Sequence, residues 1–212
     1  MIRDDVVALY VSPRGPYAGL VETWDAGRQE PLPFPGVRQR PTRDAAAYAG
    51  PWPVVAHPPC GPWSRLRHLC GPELLNQAPL GPIAVAQVQE WGGVLEHPRD
   101  SALWRACRLP APGQPPDDHG GWTLLVEQWA WGHRAIKPTW LYIVGRTDTP
   151  PIPTPTTPRP AGGGAEARAR DPKLRSMLER LPATQRHLTP PALALWLIDL
   201  AAGCRPAVRI DP

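Results

Sequence analysis

Two side chains in this sequence have the types and positions that covalent chemistry on a flat ring requires. Cys60 lies in a PPCG loop directly after the apolar residues 53–57 (PVVAH), and Glu96 ends a second apolar run, GVLE at residues 93–96. A thiolate adds to carbon 6 of a pyrimidine and makes carbon 5 reactive, while a carboxyl group near ring atom N3 assists by protonating or hydrogen-bonding the ring. Cys60 as nucleophile and Glu96 as ring-activating acid therefore predict an enzyme that acts on pyrimidines.

Predicted strands and helices alternate along the chain and must bring these two side chains together. Apolar runs typical of strands occupy residues 5–11, 53–57, 93–96 and 140–144, and helical spacing occupies residues 82–91. This alternation is typical of a parallel sheet, in which the carboxyl ends of the strands carry the chemistry. We therefore expect an α/β fold with a Rossmann-like, mostly parallel sheet and helices on both faces.

The rest of the chain predicts one domain with two irregular segments. Thr189-Pro190 is expected to open a last amphipathic helix that Gly203 ends, with Leu193, Leu195, Trp196, Leu197 and Leu200 packed on the sheet. Asp171-Pro172 is expected to open another helix. Composition predicts a loop at residues 110–121 and a flexible linker at residues 146–170. The expected catalytic domain comprises residues 1–145 and 171–204, followed by a tail at 205–212.

Four short segments occur in an order that resembles a known family. They are PPC around Cys60, LEHP around Glu96, WGHRAIKPT at residues 131–139 and HLTPPALA at residues 187–194. The order is similar to that of the cytosine-5 DNA methyltransferases, and the chain resembles a reduced or divergent member, of the phage or prophage type. The resemblance implies methyl transfer to carbon 5 of a cytosine in DNA, or of a pyrimidine nucleotide. It also implies that Arg134 or Lys137 contacts the base at O2.

The resemblance further implies S-adenosylmethionine as the cofactor, bound at the carboxyl end of the first strand. That family has a glycine-rich loop there, whereas residues 10–17 of this chain read YVSPRGPY, with prolines and an arginine in place of glycines. An acidic residue at the end of the second strand is expected to hold the ribose hydroxyls, and Glu22 or Asp25 is suited to this. The expected cofactor-binding residues are Tyr10, Ser12, Gly15, Glu22, Asp25, Pro58 and Thr189.

The charge balance permits a nucleic-acid partner without requiring one. The formal net charge is +4, and nearly all of the positive charge is arginine, whose planar fork suits phosphate. An arginine-rich genome composition gives the same balance. Arg65 and Arg67 are expected either to lower the pKa of Cys60 or to bind DNA phosphates beside a base flipped out of the duplex.

Cysteine usage and hydropathy bear on the compartment. The four cysteines have no disulfide-framework spacing, and the N-terminus lacks the pattern of a signal peptide, which predicts a cytoplasmic protein. The longest apolar stretch, residues 192–202, is too short to span a bilayer and contains Asp199, so no membrane role is expected.

Other classes of protein remain open at this point. His57, Cys60, His68 and Cys70 are zinc-ligand types, and a zinc site would make this region a structural binding module, although the spacing is not that of a standard zinc finger. The altered loop also fits a catalytically inactive methyltransferase-like domain that binds nucleic acid or a partner. Independently of these classes, Cys60 has an ordinary interpretation as a small buried hydrophobic residue, and Glu96 as a strand-end carboxylate in water or paired with Arg99.

Overall fold

A computed structural model describes residues 3–26, 44–135, 137–155 and 188–205 of the chain. The strands in these ranges are β1 (Arg3–Leu9), β2 (Val21–Trp24), β3 (Val54–Ala56), β4 (Gly93–Pro98), β5 (Trp122–Glu127) and β6 (Pro138–Val144). The helices are α1 (Pro72–Leu75), α2 (Leu80–Trp91), α3 (Leu103–Ala106) and α4 (Pro191–Ala202). Single 3₁₀ turns lie at Ala45–Ala47, Gly61–Trp63, Arg67–Leu69 and Gln128–Trp131.

The six strands form one sheet in the order β2-β1-β3-β4-β6-β5. The pairs β1–β2, β1–β3 and β3–β4 are parallel, whereas β6 runs antiparallel to both β4 and β5. Because β6 is reversed relative to both neighbours, β5 points in the same direction as β4. The α/β class is therefore confirmed, but the sheet is mixed and not wholly parallel around Glu96, which the sequence did not reveal.

The two faces of the sheet bury different side chains, as the alternation of strand residues requires. Val6, Ala8, Val55 and Val94 face α4, while their neighbours Val7, Leu9, Val54 and Leu95 face α2. Each such aliphatic side chain contributes about 1.5–3 kcal/mol when it is fully buried. The predicted helices at α2 and α4 are confirmed, with Gly92 and Gly203 at their C-terminal ends.

One residue of α4 was assigned to the wrong face. Leu193, Trp196, Leu197 and Leu200 are buried as predicted, but Leu195 is 50% exposed. Position 195 lies on the outer side of the helix, because its neighbours at 193, 194, 197 and 198 define the buried stripe.

Two features of the sheet differ from the sequence prediction. Strand β4 does not end at Glu96 but continues through Pro98, because β6 pairs with it residue by residue as far as Pro98 opposite Thr139. A proline is tolerated there because it lies at the last position of the ladder. Glu96 therefore lies inside β4, between β3 and β6, and not in a loop. The second difference is β5, which was not among the predicted strands.

The connections near the first two strands are short. Residues 10–20 join β1 to β2 through turns with no helix, and Tyr17 from this segment is 1% exposed and fully packed into the core. Residues 45–47 form a single 3₁₀ turn, in which the Asp44 side chain accepts a hydrogen bond from the Ala46 N–H at 3.0 Å.

Other sequence predictions concern irregular or undescribed segments. Residues 110–121 are a loop as expected, but the loop is held in place: the Asp117 carboxylate accepts hydrogen bonds from the Gly121 N–H at 2.9 Å and the Tyr142 hydroxyl at 2.6 Å. The helix expected after Asp171, the tail and most of the predicted linker lie outside the described residues. Within the described ranges, no helix is long and apolar enough to cross a membrane.

Gly93 begins β4 at a point where β3 comes very close. Its φ is +118°, and a Cβ built on it would lie 2.0 Å from the carbonyl oxygen of Val54. No side chain fits between these two backbones. The strand that carries Glu96 therefore depends on glycine at its first position.

We expect Gly93→Ala to lower the free energy of unfolding by about 3 kcal/mol or more, because the new methyl group must push β3 and β4 apart. The matched control is Gly113→Ala, which also has a positive φ (+83°) but open space around its Cβ position and should cost about 1 kcal/mol. Urea denaturation of both variants measures the difference. Equal losses would show that the close approach of the strands is unimportant.

Candidate active site

The carboxyl ends of three neighbouring parallel strands meet at one edge of the sheet. In the sheet, β2 lies on one side of β1 and β3 lies on the other. The connection that leaves β1 and the one that leaves β3 therefore run in opposite directions from the gap between these two strands. In open α/β sheets, ligands bind in the crevice outside such a point. Leu9 pairs with Ala56, and Ala56 with Leu95, which brings His57 and Glu96 to this edge in adjacent positions.

Glu96 is the electrostatic centre of this edge. It is 7% exposed, and its carboxylate accepts hydrogen bonds from His57 Nδ1 at 2.9 Å and from Gln128 Nε2 at 2.8 Å. Burial by itself would raise the pKa of Glu96, but the hydrogen bond from His57 and the nearby charges, including that of Lys137, outweigh it and lower the pKa to about 2. Glu96 is therefore ionised at neutral pH.

The hydrogen bonds of Glu96 extend into a chain of polar side chains. His57 Nε2 lies 2.6 Å from the hydroxyl of the buried Tyr17, and Gln128 also donates to Thr139 Oγ1 at 3.0 Å. Burial, the larger cause, and the charge of Glu96 raise the pKa of Tyr17 well above its usual value, so its hydroxyl keeps its proton. Hydrogen on Nδ1 lets His57 donate to the carboxylate, and the Tyr17 hydroxyl lies within hydrogen-bond distance of Nε2.

Sequence reasoning missed three members of this chain as site residues. His57 was considered only as a zinc ligand, although its place at the end of β3, directly before the PPCG loop, is a signal for the site. Tyr17 lies 40 residues from His57 in sequence, and Gln128 lies 32 residues from Glu96. No local pattern marks either residue, so only the tertiary structure reveals them.

Cys60 lies at the same edge, at the start of the Gly61–Trp63 turn. Its side chain is partly buried. Burial raises the pKa of the thiol, the negative charge of Glu96 raises it further, and the positive charge of Lys137 opposes both. Cys60 and Glu96 therefore lie within each other's electrostatic reach, and Cys60 rests as a thiol at neutral pH.

The two candidate basic residues are placed differently. Lys137, just before β6, is partly buried and its charge acts on both Cys60 and Glu96. Arg134 is exposed in the preceding loop. Lys137 is the better placed of the two to stabilise negative charge at the reacting groups.

Five of the seven residues expected to hold a cofactor come to this edge, and the exceptions are Tyr10 and Glu22, which lies within β2. The backbone of Tyr10 is in the left-handed region (φ 61°), and its hydroxyl donates to Gln87 of α2 at 2.8 Å. Its side chain therefore packs on the face of the sheet that α2 covers and does not face the edge. The residues that do lie along the edge are Ser12, Gly15, Asp25, Pro58 and Thr189. Thr189 is placed by α4, which begins two residues after it. The C-terminal end of α4 is at the opposite edge of the sheet, where the N–H of Arg205 donates to the carbonyl of Gly145 just after β6, so the start of α4 is at this edge.

The loop after β1 does not have the form of a glycine-rich cradle. Its centre is a tight turn in which the Gly15 N–H bonds to the Ser12 carbonyl at 2.9 Å, and a Cβ on Gly15 would lie 3.1 Å from that oxygen. Of the two acidic candidates, Asp25 directly follows β2, while Glu22 lies within β2 and accepts from the Trp24 indole at 2.8 Å. Asp25 therefore fits the ribose-holding position better, but the loop does not fit the close backbone approach that the resemblance implies.

Arg65 and Arg67 are exposed and line a surface cavity of 460 Å³ next to the Cys60 loop. Neither of the two is among the groups that affect the pKa of Cys60 most strongly, whereas Lys137 is. Activation of the thiol by these arginines therefore has no support in the structure, and their contact with DNA phosphates stays a prediction.

The described residues give the zinc-module interpretation no support. His57, Cys60, His68 and Cys70 all lie in described residues, yet they do not form a group that could hold a metal ion, and the described part of the chain has no other such cluster of His, Cys, Asp or Glu. His57 instead bonds to Glu96 and Tyr17, and the Cys70 thiol points at the Gly61 carbonyl, 3.6 Å away.

Comparison with known proteins adds no family assignment. No model of a known protein family matches the chain, and no curated protein matches it in sequence. The case for a function therefore depends on the chemistry of this edge.

The pairing of His57 with Glu96 predicts a stability effect. His57→Phe leaves the buried carboxylate without its main partner and should lower the free energy of unfolding by about 3–5 kcal/mol at pH 7, and adding Glu96→Leu should restore part of the loss. Tyr17→Phe, which removes only the outer hydrogen bond, should cost about 1 kcal/mol. Urea denaturation provides the comparison.

The same pair fixes the direction of the pH dependence. The pKa of Glu96 is lowered from 4.5 to about 2 in the folded protein, so its contribution to stability is complete above about pH 4.5 and is lost as the pH falls toward 2. In His57→Phe the pKa of Glu96 should rise, so the loss should begin at higher pH. An unchanged acid profile would mean that His57 does not hold the carboxylate in its ionised form.

The charge of Glu96 should also control the reactivity of Cys60. Glu96→Gln removes a negative charge that raises the pKa of the thiol, so alkylation of Cys60 by iodoacetamide at pH 7.5 should become faster by about threefold or more. Lys137→Met should have the opposite effect. Cys107, whose pKa is raised by burial alone, serves as the internal control in the same mass-spectrometric digest. Equal rates in both variants would contradict the electrostatic coupling.

Proposed function

We propose that this protein is a pyrimidine-modifying enzyme of the cytosine-5 methyltransferase type, in which Cys60 attacks carbon 6 and a methyl group is transferred to carbon 5. The observation that carries the proposal is the convergence of Cys60 and Glu96. Glu96 directly follows Leu95, which pairs with Ala56, and Cys60 lies four residues after Ala56. The charge of Glu96 raises the pKa of the Cys60 thiol. Addition to a pyrimidine ring requires a thiol and a carboxylate on neighbouring segments of this kind.

Each covalent step has a group in this site to support it. The Cys60 thiol gives its proton to solvent, and its sulfur forms a bond to carbon 6, which makes carbon 5 nucleophilic. After carbon 5 has gained the methyl group, solvent accepts the proton of carbon 5, and the electron pair of that C–H bond expels the sulfur from carbon 6 as the thiolate. Lys137 favours the thiolate electrostatically at both ends of this sequence. Because the pKa of the resting thiol is raised, little of Cys60 is thiolate at neutral pH before a substrate is bound.

The ionised state of Glu96 gives it a hydrogen-bonding role. With a pKa of about 2 it is a poor proton donor, but each carboxylate oxygen has two lone pairs, and His57 and Gln128 use one on each. The remaining capacity suits the exocyclic amino group of cytosine, which donates to carboxylates. A ring with a carbonyl oxygen at that position would face the negative charge and be rejected. Glu96 therefore selects cytosine over thymine or uracil, and Glu96→Gln should slow turnover more than binding.

The methyl donor implied by the resemblance is S-adenosylmethionine, which would supply the methyl group at the edge where Asp25 and Thr189 lie. The tight turn at Ser12–Gly15 does not offer the backbone approach of a glycine-rich loop. That same turn favours the second candidate function, an inactive methyltransferase-like domain that binds nucleic acid. Isothermal titration with S-adenosylmethionine separates the two functions, because saturable binding is expected only of the enzyme.

Cys60→Ala tests the proposed function directly. DNA from cells that express the intact protein should contain a modified pyrimidine, detected by mass spectrometry of nucleosides, and DNA from cells that express Cys60→Ala should not. The loss is expected because the variant has no group that can bond to carbon 6. Cys107→Ala, a change at another partly buried cysteine, should leave the modification in place. Modification that persists in Cys60→Ala would overturn the proposal.

A further inference from the structure

We propose that Cys60 and Cys70 form a thiol–disulfide exchange site, which takes an anionic small-molecule disulfide of the glutathione type and becomes a reversible Cys60–Cys70 disulfide. The two thiols lie in one stretch of turns, residues 60–71, which we call the turn segment. Exchange at this site needs only these two thiols and the charge beside them, and it does not depend on the proposed methyl transfer.

The two ends of the turn segment lie against each other. The Cys70 sulfur is 3.6 Å from the carbonyl oxygen of Gly61, the residue next to Cys60. Gly61 also packs closely on α1, because a Cβ at position 61 would overlap the side chain of Leu74. The charge of a Cys70 thiolate raises the pKa of Cys60, so the two sulfur atoms are within electrostatic reach of each other. Cys60 and Cys70 are therefore close together in space.

The turn segment can supply the movement that bond formation requires. The sulfur atoms of a disulfide are about 2 Å apart, so the two free thiols must approach each other further. The hydrogen bonds within the segment are local: the N–H of Ser64 bonds to Gly61, that of Arg67 to Ser64 and that of Cys70 to Arg67. Residues 65–69 are all exposed. A segment with local hydrogen bonds and exposed side chains shifts at low cost.

A reagent can reach both thiols. Cys60 and Cys70 are each partly exposed, as is Cys107, whereas Cys204 is buried. Cys70 is the cysteine whose charge acts on Cys60. Access for the reagent and a second thiol close by are the two conditions for forming a disulfide within one chain by exchange.

The charge beside the turn segment favours an anionic reagent. Arg65 and Arg67 lie between the two cysteines in sequence and are exposed. With Arg105 they line a surface cavity of 460 Å³, and the acidic residue of its lining, Asp100, is bonded to Arg99 at 3.1 Å. Guanidinium groups bind carboxylates through paired N–H donors. A disulfide that carries carboxylates, such as oxidised glutathione, therefore binds beside the thiols more readily than a cationic one.

Exchange takes two steps that conserve atoms and electrons. Cys70 loses its proton to solvent and its sulfur bonds to one sulfur of the small disulfide, whose S–S bond breaks, and the departing sulfur takes a proton from solvent. The deprotonated Cys60 then bonds to the Cys70 sulfur and expels the second small thiol. Two protein thiols are oxidised, and one small disulfide is reduced to two thiols. Cys70 attacks first because burial and the charge of Glu96 raise the pKa of Cys60.

Mass spectrometry under non-reducing conditions tests the exchange site. The full-length protein is incubated with oxidised glutathione at about pH 8, where thiolates form, and digested with trypsin, which cleaves after Arg65 and Arg67. We expect the Cys60 and Cys70 peptides to be joined until dithiothreitol is added. Cys107→Ser should leave this product unchanged. Peptides that carry glutathione but are never joined to each other would overturn the proposal.

Cys70→Ser distinguishes the Cys60–Cys70 bond from simple modification of Cys60. In this variant Cys60 has no second thiol beside it, so it should end as a mixed disulfide with glutathione. The thermal unfolding of the variant should match that of the wild type, because serine is similar in size and position 70 is partly exposed. A cross-link from Cys60 to Cys107 that forms as readily in this variant would contradict the selection of Cys70 by the turn segment.

Reagents of opposite charge test the preference for an anion. Arg65→Gln with Arg67→Gln should slow cross-linking by oxidised glutathione about threefold or more and should not slow cross-linking by cystamine, which is cationic. The matched control is Arg108→Asn, which removes an exposed arginine outside the turn segment and keeps a residue type that tolerates its φ of 53°. Equal slowing with both reagents would overturn the assignment of an anionic disulfide.

The exchange site and the proposed function can fail independently of each other. Cross-linking without any modified base in DNA would leave the exchange site standing and remove the enzyme. Modified DNA that depends on Cys60, in a protein that never forms the Cys60–Cys70 bond, would support the enzyme and overturn the exchange site. If both are correct, oxidised glutathione should abolish the modification of DNA and dithiothreitol should restore it, because the disulfide occupies the nucleophile.

Discussion

The ionised carboxylate of Glu96, buried inside a strand, is the constraint on which the rest of this edge depends. Removal of a carboxylate from water costs several kcal/mol unless good hydrogen bonds compensate for the lost solvation. Here the donors are His57 at the end of β3 and Gln128 in the turn after β5. Each donor belongs to a different element, so the burial of one charge fixes the positions of β3, β4 and the segment that leads into β6.

The same charge makes the neighbouring thiol less acidic. A catalytic cysteine usually lies among cations or at a helix N-terminus, which lower its pKa, whereas Cys60 is beside a negative carboxylate and is partly desolvated. Lys137 opposes this effect. Cys60 therefore rests as a thiol, which is less reactive than a thiolate.

The reversed strand β6 explains why Glu96 is so well enclosed. If β4 were at the rim of the sheet, its last residues would face solvent, and Glu96 would need little support. Because β6 pairs with β4 as far as Pro98, Thr139 and Lys137 are brought against the carboxylate from the other side. Arg65 and Arg67 lie outside this enclosed region, beside the Cys60 loop, where exposed cations cost little.

The sequence by itself determined the elements with strong local signals and the residues at their ends. Apolar runs and glycine or proline boundaries predicted β1, β3, α2, α4 and most of β4 and β6, because these signals depend only on side-chain periodicity and backbone restrictions within a short segment. The position of Cys60 in the loop after β3 could be predicted for the same reason, whereas the expected strand end at Glu96 was wrong because β4 continues to Pro98. Only the tertiary structure decided the direction of β6, the burial of Glu96 within its strand, and the hydrogen bonds from Tyr17 and Gln128. These depend on pairing and contacts between residues far apart in the chain, where the free energy of burying a charge selects partners that no local pattern identifies.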